Sequence, residues 1–298
     1  MAKGQVVVRP VSLDSGATYR HIEVRPLTGA LGAEIFGADL SQPLPDEVFA
    51  EIHAALLENL VIFFRDQDIT PGQHTAFGRR FGELHVHPYI PSLEGHPEII
   101  PLGGEVPGPS SYARNANEWH TDLTYTEIPP MGAILHGLEI PATGGDTMFA
   151  NMYAAYESLS DRIRHLIDDM TAVHSVTATK SLHELSSPAQ VKSLQQQLEI
   201  SPPGEHPVVR THPESGRKGL FINQHFTSHL NGVSERESRA LLNLLCEHVN
   251  QPEFHCRFRW RDNSIAFWDN RCTQHYAIFD YAERRRMHRV TVCGDKPY

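Results

Sequence analysis

The sequence predicts a mostly β fold with peripheral helices. Helical hydrophobic spacing is confined to a few separate stretches, strand-like runs are scattered along the chain, and the connections between them are long. This order favours an antiparallel β core with helices packed outside it, and it lacks the regular strand–helix alternation of a Rossmann fold. The length of 298 residues suits one barrel-sized domain. We therefore expect a loose lead-in over residues 1–20 and a single domain over 21–298.

Two helices and one strand are expected in the first third of the chain. Apolar side chains recur at helical spacing over 45–59, and the run at 60–64 has the length of a buried strand. Thr70 and Pro71 form a typical N-cap and first-turn pair. The second helix is therefore predicted to begin there and to continue through Phe81.

The rest of the chain combines loops, helices and strands. Residues 85–130 are rich in proline, glycine, histidine and asparagine, a composition typical of loops that hold binding groups. Further along, the pattern predicts helices at 151–170 and 234–249, and strands at 254–260, 264–268 and 285–293. The second of these helices opens with Ser234 and Glu237 at the spacing of a capping box.

Bulk composition argues against several classes of protein. The formal net charge of −10 opposes nucleic-acid binding, which needs a basic surface. No run approaches the roughly 20 apolar residues that span a bilayer, and residues 1–18 lack the core of a signal peptide. The four cysteines have no zinc-finger or CxxC spacing, so we expect free thiols in a cytoplasmic protein without membrane contact. The oligomeric state stays open, a homo-oligomer included.

The segment WHTD (119–122) contains a candidate metal-binding pair. On an extended backbone, residues i and i+2 face the same side, so His120 and Asp122 can bind one ion together. A third ligand is needed, and a distant histidine such as His275, which follows the strand-like run at 264–268, can complete the set. Two histidines and one carboxylate leave open positions on iron(II), as oxygen chemistry requires. The alternative is a loop histidine that is hydrogen-bonded to a nearby aspartate.

The run RRMHR (285–289) contains the arginines of a candidate anion site. On a regular strand, Arg285 and Arg289 share one face and Arg286 lies on the other. Inward-facing arginines are costly without anionic partners, and the planar guanidinium group suits a carboxylate. The alternative is a set of surface arginines on an edge strand.

These segments belong to a longer series of motifs that runs from about Pro26 to Tyr298. The motifs are GADLSQPL (37–44), FGELHVHP (81–88), WHTD (119–122), TGGDT (143–147), HPVVRTHP (206–213), WDNRCTQHYA (268–277) and MHRVTVCGDKP (287–297). In this order they resemble the TauD/TfdA family of iron(II)/2-oxoglutarate dioxygenases, its taurine-oxidising members most closely. The resemblance implies that the domain is TauD-like and that its core is a double-stranded β-helix, or jelly roll.

The resemblance also implies the cofactors and the residues that bind them. His120, Asp122 and His275 match the residues that hold Fe(II), while 2-oxoglutarate and O₂ are the co-substrates. Thr147 matches a hydroxyl that hydrogen-bonds the distal carboxylate of 2-oxoglutarate. Arg285 matches the arginine that pairs with this carboxylate. The protein would position these groups and keep the site dry, while the metal and co-substrate supply the oxidising power.

The position of the co-substrate arginine depends on the alignment. Alignment on residues 287–289 gives Arg285. Counting forward from His275 gives Arg286 instead, because the 276–286 loop is one residue shorter here. We favour Arg285, since the direction of a side chain on a strand is harder to violate than the length of a loop.

Three further residues match substrate contacts of the family. His87 and Arg289 match groups that bind a sulfonate, and Phe221 matches an apolar residue of the pocket. Their alternatives are a packing histidine before proline, a structural arginine and a core aromatic. The sequence departs from the taurine-oxidising members at Ala116, where they have asparagine four residues before the first iron histidine, and again over 171–205.

The implied reaction is hydroxylation of a small anionic molecule, with taurine or a related alkyl-sulfonate as the expected substrate. The products would be sulfite, an aldehyde, succinate and CO₂. An alkylsulfatase and an aryloxy-carboxylate dioxygenase are alternatives within the family. A non-catalytic metal- or ligand-binding barrel is an alternative of another class, but it would be expected to lack a metal ligand or the co-substrate arginine.

Overall fold

The computed structural model describes residues 19–88, 90–104, 116–178 and 198–298. The strands, in chain order, are β1 (Glu23–Pro26), β2 (Ala33–Phe36), β3 (Val61–Phe64), β4 (Ile99–Gly103), β5 (Gly132–Glu139), β6 (Thr147–Asn151), β7 (Thr171–His174), β8 (Gly204–Pro207), β9 (Val209–Thr211), β10 (Lys218–Leu220), β11 (Thr227–Leu230), β12 (His255–Phe258), β13 (Ile265–Asp269), β14 (Thr273–Ala277) and β15 (Arg286–Val292). The helices used below are α1 (Asp46–Asn59), α2 (Pro71–Arg79), α3 (Met152–Glu157), α4 (Asp161–Ile167) and α5 (Glu235–Val249). Within these ranges, no helix has the length and apolar character needed to cross a membrane.

Two sheets form the barrel that was predicted. The larger sheet has seven strands in the order β1-β2-β3-β13-β5-β15-β4, and only the β2–β3 pair is parallel. A sheet in the order β12-β6-β14 faces it, and two smaller sheets, β11-β7-β8 and β10-β9, extend the structure. Successive strands from β12 to β15 alternate between the two main sheets. This winding is that of a double-stranded β-helix, so the predicted mostly β fold with peripheral helices is confirmed.

Side-chain alternation along β3 divides the hydrophobic core into an inner and an outer layer. Val61 and Phe63 face the space between the two main sheets, where the Phe63 ring stacks on Phe258 with centroids 4.0 Å apart. Ile62 and Phe64 face the other side and pack with residues of α1 and α2. A strand that is buried on both faces has a continuous apolar sequence, which explains the run at 60–64.

The helices begin where the capping signals place them. Thr70 and Ser234 are N-caps, as the sequence predicted. The capping box predicted for Ser234 and Glu237 is present, and Thr70 forms a second one with Gln73. The single helix predicted over 151–170 is wrong, because α3 and α4 are separate helices. Ser160 starts the second one, with its side chain accepting a hydrogen bond from the Ile163 N–H.

Two predicted strands have different ends in the structure. The strand predicted over 254–260 is β12, and a 3₁₀ turn at Pro252–Phe254 precedes it. The strand predicted over 285–293 is β15, which begins at Arg286. The register between β15 and β5 shifts between Arg286 and Met287 because Leu138, an extra residue on β5, is skipped. The pairing of β15 with β4 is regular, so side-chain alternation continues along β15. Arg285 immediately precedes this strand.

The start of the domain is anchored to α1. The Glu51 carboxylate accepts hydrogen bonds of 2.8, 2.9 and 3.1 Å from the backbone N–H groups of Arg20, His21 and Ile22. Residues 1–18, most of the predicted lead-in, lie outside the described residues.

Candidate active site

The two parts of the sequence that were predicted to bind metal are hydrogen-bonded to each other. His120 forms an isolated antiparallel bridge with His275 on β14, and their backbones exchange hydrogen bonds of 3.1 and 2.8 Å. Two residues later, the Asp122 N–H donates to Asn270 Oδ1 at 2.9 Å. The chain enters a turn at Asp122, so the predicted extended backbone is limited to a short segment.

His120, Asp122 and His275 form a buried cluster whose ligand atoms all lie within 4.8 Å of one another. His120 Nδ1 donates to the Glu118 carbonyl at 2.7 Å, which leaves its Nε2 for an ion. Asp122 Oδ2 is buried and accepts no hydrogen bond from the described part of the chain. Two imidazoles and a carboxylate oxygen without a partner form a donor set that fits iron(II).

Burial and charge put the three groups into the protonation states that metal binding requires. Burial, reinforced by His120, lowers the pKa of His275 to about 3. Burial also lowers the pKa of His120. Burial by itself would raise the pKa of Asp122, but Arg289 and the two histidines outweigh this effect and lower it. Near neutral pH, both imidazoles are therefore neutral and the carboxylate is ionised.

Arg289 and His87 lie on the Asp122 side of the cluster. The Arg289 guanidinium donates to Asp122 Oδ1 at 3.2 Å, and both side chains are nearly buried. Burial, followed by the charge of Arg289, lowers the pKa of His87 to about 4. His87 Nδ1 accepts the Ile90 N–H at 3.2 Å, so the neutral ring carries its proton on Nε2. The structure thus brings both predicted sulfonate contacts close to the cluster.

Thr147 and Arg285 lie together around Trp260. The Trp260 indole donates to Thr147 Oγ1 at 3.0 Å. The Arg285 guanidinium carbon lies 6.0 Å from the Trp260 ring centroid and 5.8 Å from that of Tyr281. Burial lowers the pKa of Arg285, and no carboxylate of the described residues forms an ion pair with it. A desolvated guanidinium of this kind suits a carboxylate ligand.

Arg286 has a different environment from Arg285. Its side chain is exposed and lies 3.8 Å from a Glu139 carboxylate oxygen. Side-chain alternation along β15 puts Arg286 on the face opposite to the buried Met287 and Arg289. Of the two candidates for the co-substrate arginine, Arg285 is therefore the one that lies beside Thr147 and Trp260.

The structure places Phe221 in the core instead of beside the metal cluster. Its ring packs on His174 and His206, at centroid distances of 5.9 and 5.7 Å, and the Arg210 guanidinium lies 5.0 Å from its centroid. None of its ring contacts in the described ranges involves the cluster. That Phe221 lines the substrate pocket stays a prediction, and the described contacts of its ring are with this second buried group.

Several residues around the cluster were missed from the sequence. The Phe226 and His120 rings have centroids 6.5 Å apart. The His225 ring lies 5.7 Å from His120, and its Nδ1 pairs with the Glu118 carboxylate at 2.9 Å. Neither residue lies at a sequence spacing that is typical of metal ligands. Asn270, by contrast, lies inside the recognised motif WDNR and could have been found there.

A second cluster, formed by His212, Asp269 and Cys272, also has its potential ligand atoms within 4.8 Å of one another. His212 Nε2 lies 3.0 Å from Asp269 Oδ2, and His212 Nδ1 accepts two backbone N–H groups. The Arg271 guanidinium donates to the same carboxylate at 2.9 and 2.7 Å. Because a guanidinium repels a cation, we interpret this cluster as a buried ion-pair network that braces the turn after β13.

Comparison with known proteins agrees with this geometry. A family model described as "Taurine catabolism dioxygenase TauD, TfdA family" matches residues 23–291. The chain belongs to the TauD/TfdA family. Its fold and sequence motifs are therefore those of 2-oxoglutarate-dependent dioxygenases, and the predicted enzyme class is confirmed.

Two curated members of the TauD/TfdA family are 38% identical to this chain over 280 residues. One is an alkylsulfatase of Acinetobacter baylyi, and the alignment covers 93% of this chain and 86% of the relative. The other is an alpha-ketoglutarate-dependent sulfate ester dioxygenase of Pseudomonas putida, with 93% and 91% covered. A crystal structure of a taurine dioxygenase from Burkholderia xenovorans is 39% identical, has a TM-score of 0.79, and shares 93% and 91% of the two chains.

Proposed function

We propose that this enzyme binds Fe(II) through His120, Asp122 and His275 and hydroxylates the carbon next to a sulfur oxyanion in a small substrate. The main support is the buried cluster with two neutral imidazoles and an ionised carboxylate. Bound iron with 2-oxoglutarate and O₂ supplies the oxidising power for C–H hydroxylation. The protein contributes position, charge and exclusion of water.

Arg285 and Thr147 bind the distal carboxylate of 2-oxoglutarate in this proposal. A carboxylate offers two acceptor oxygens, which the planar guanidinium can engage together. Thr147 Oγ1 already accepts the Trp260 N–H, so its own hydroxyl proton is available for the ligand. Arg286 is too exposed for this role and faces Glu139.

Arg289 and His87 bind the anionic end of the prime substrate. Near neutral pH, Arg289 provides a fixed positive charge and neutral His87 provides an Nε2–H donor. A sulfonate or sulfate group offers several acceptor oxygens and stays ionised at every physiological pH. Because Arg289 also contacts Asp122, the anion is held next to the metal site. The carbon that bears the sulfur group then faces the oxidant.

Taurine or a related alkyl-sulfonate remains the expected substrate, and a short alkyl sulfate ester is the second candidate. Two observations make the sulfate ester a candidate: two relatives at 38% identity are an alkylsulfatase and a sulfate ester dioxygenase, and Ala116 stands where the taurine-oxidising members have asparagine. The two classes differ in product, because hydroxylation releases sulfite from a sulfonate and sulfate from a sulfate ester.

The proposal is tested by turnover with matched substrates. Purified enzyme with Fe(II), ascorbate, 2-oxoglutarate and O₂ is given taurine, 1-propanesulfonate, propyl sulfate or an aryloxyacetate, and succinate, sulfite and sulfate are measured. We expect at least one sulfur oxyanion to release succinate and its inorganic product in equal amounts. Coupled turnover with the aryloxyacetate alone would contradict the substrate class. No coupled turnover, together with failure to bind the metal, would contradict the mechanism.

A further inference from the structure

Asn270 lies at the corner where the chain leaves β13 of the seven-stranded sheet and enters β14 of the facing sheet. Its side chain is buried, and both ends of its amide are used. Oδ1 accepts the Asp122 N–H at 2.9 Å. Nδ2 donates to the Asp122 carbonyl at 3.0 Å and to the Pro130 carbonyl at 3.3 Å. The two polar backbone groups of Asp122 are thus both bound by one side chain.

The asparagine side chain matches the two backbone groups of Asp122, whereas aspartate and glutamine do not. Asp122 offers one donor and one acceptor from its own backbone, and both are buried groups that need partners. An amide has an acceptor and a donor on the same carbon, whereas an aspartate has no donor unless it is protonated. A glutamine is one methylene longer and would place the amide elsewhere.

The backbone that presents the Asn270 amide is itself rigidly held. The buried carboxylate of Asp269 accepts hydrogen bonds from His212 and from the guanidinium and N–H of Arg271. Thr273 Oγ1 donates to the Asp269 carbonyl at 2.7 Å, which closes the turn. The Asn270 N–H donates to the Met131 carbonyl at 2.8 Å. The ion-pair network therefore fixes the point from which the amide reaches Asp122.

The backbone conformation of the turn after Asp122 also needs stabilising contacts. Leu123 has φ of +52°, a left-handed conformation that non-glycine residues keep only where the surrounding structure holds them. The Leu123 carbonyl is fixed by Thr126, whose N–H and Oγ1 donate to it at 3.0 and 2.8 Å. Asn270 fixes the peptide on the other side of Leu123. Without it, this turn and the direction of the Asp122 carboxylate would be free to change.

We propose that Asn270 is a positioning residue for the metal-binding carboxylate. Its amide sets the Asp122 backbone, and through it the direction in which Oδ2, which has no protein hydrogen-bond partner among the described residues, enters the metal site. This inference rests on the proposed function, because it takes Asp122 as a metal ligand. It assigns to the motif WDNR a role that the ligand spacing alone does not reveal.

The central test is the metal affinity of Asn270→Ala. Mn(II) is titrated into the metal-free enzyme, and free Mn(II) is followed by electron paramagnetic resonance, so the readout does not depend on turnover. Loss of an outer partner of a metal ligand weakens metal affinity by roughly 10–100-fold, and we expect a rise in Kd within that range. Asn59→Ala is the matched control, since this buried asparagine donates to the Ala55 carbonyl at the end of α1. We expect the control to lose stability and to keep its Kd.

Asn270→Asp distinguishes a positioning role from a purely electrostatic one. It also provides the test of the inference if the alanine variant does not fold. It keeps an acceptor for the Asp122 N–H, but it places a second acceptor against the two carbonyls and adds negative charge near the ion. An electrostatic role predicts tighter Mn(II) binding, whereas a positioning role predicts weaker binding.

Each result decides the inference. Weaker Mn(II) binding by every Asn270 variant that folds, with an unchanged Kd for Asn59→Ala, supports it. A folded Asn270→Ala with the parental Kd, or Asn270→Asp that binds as tightly as the parent or more tightly, overturns it while the proposed function stands. A parent enzyme that binds no Mn(II) overturns both.

Discussion

Asp122 is held by three hydrogen bonds, and each of them involves a different part of the residue. Arg289 donates to one carboxylate oxygen, Asn270 binds the backbone, and the second oxygen stays without a hydrogen-bond partner in the described structure. The charge of Arg289 keeps the carboxylate ionised despite burial. Asp122 Oδ2 is thus available for the proposed metal ion, while hydrogen bonds hold Oδ1 and the backbone of the same residue.

The arginine that we propose for binding 2-oxoglutarate gives a prediction at the scale of single residues. Arg285→Ala should raise the KM for 2-oxoglutarate, because losing one partner of a desolvated charged pair costs roughly 2–5 kcal/mol. This corresponds to about 30-fold or more in binding. Steady-state kinetics with varied 2-oxoglutarate measures the change. Arg286→Ala is the matched control, since its exposed side chain faces Glu139, and its KM should stay close to the parental value. The opposite ranking of the two variants would contradict our assignment.

Helix α1 acts as the anchor for the start of the domain. The Glu51 carboxylate accepts hydrogen bonds from the backbone N–H groups of residues 20–22. The His21 ring makes a fourth hydrogen bond with the same carboxylate. Burial would raise the pKa of Glu51, but these hydrogen bonds outweigh it and lower the pKa from 4.5 to about 2. The folded state therefore favours the ionised carboxylate.

This anchor predicts a pH-dependent contribution to stability. Because the folded pKa is depressed, the stabilisation by Glu51 is fully present above about pH 4.5 and is lost as the pH falls towards 2. Glu51→Gln should lower the free energy of unfolding at pH 7, and its difference from the parent should shrink at pH 3. Urea unfolding at several pH values measures this. Glu47→Gln, an exposed position on the same helix, serves as the control. A difference that is constant with pH would contradict the anchor.

At the scale of the whole molecule, the site joins the two main sheets. Arg289 comes from β15 in the seven-stranded sheet, while Thr147 and His275 come from β6 and β14 in the facing sheet. Asn270 lies at the corner between the two sheets. A metal and a co-substrate that bind between the sheets therefore bind the folded barrel alone, and they stabilise it by mass action.

We predict that Fe(II) and 2-oxoglutarate together raise the Tm when they are added without O₂. A ligand at 100 times its Kd stabilises the folded state by about 2.7 kcal/mol. Differential scanning calorimetry under nitrogen measures the shift. His275→Ala should lose most of it because a metal ligand is removed, whereas His229→Ala, on strand β11, should keep it. An equal shift in both variants would mean that the ion binds elsewhere.

Local sequence signals predicted the elements that have local causes. Helices α1, α2 and α5 follow from apolar spacing and capping residues such as Thr70 and Ser234, because these interactions lie within a few positions of each other. Strand β3 follows from its continuous apolar run. The short strands β7 to β11 were not predicted, since strands of three or four residues depend on partners far away in the chain.

By itself, the sequence determined the family, the jelly-roll class and the identity of the residues for the candidate metal site. Motifs that occur in a fixed order along the chain are sufficient to identify all three. Only the tertiary structure decided the direction of side chains that lie next to turns, bulges and loops. The sequence left Arg285 and Arg286 as alternatives, and the fold puts Arg285 beside Trp260 and Arg286 beside Glu139. Folding also put Phe226, and not Phe221, beside His120. A motif gives the order of residues along the chain, whereas bulges, turns and sheet crossings give their direction, and these depend on contacts between distant parts of the chain.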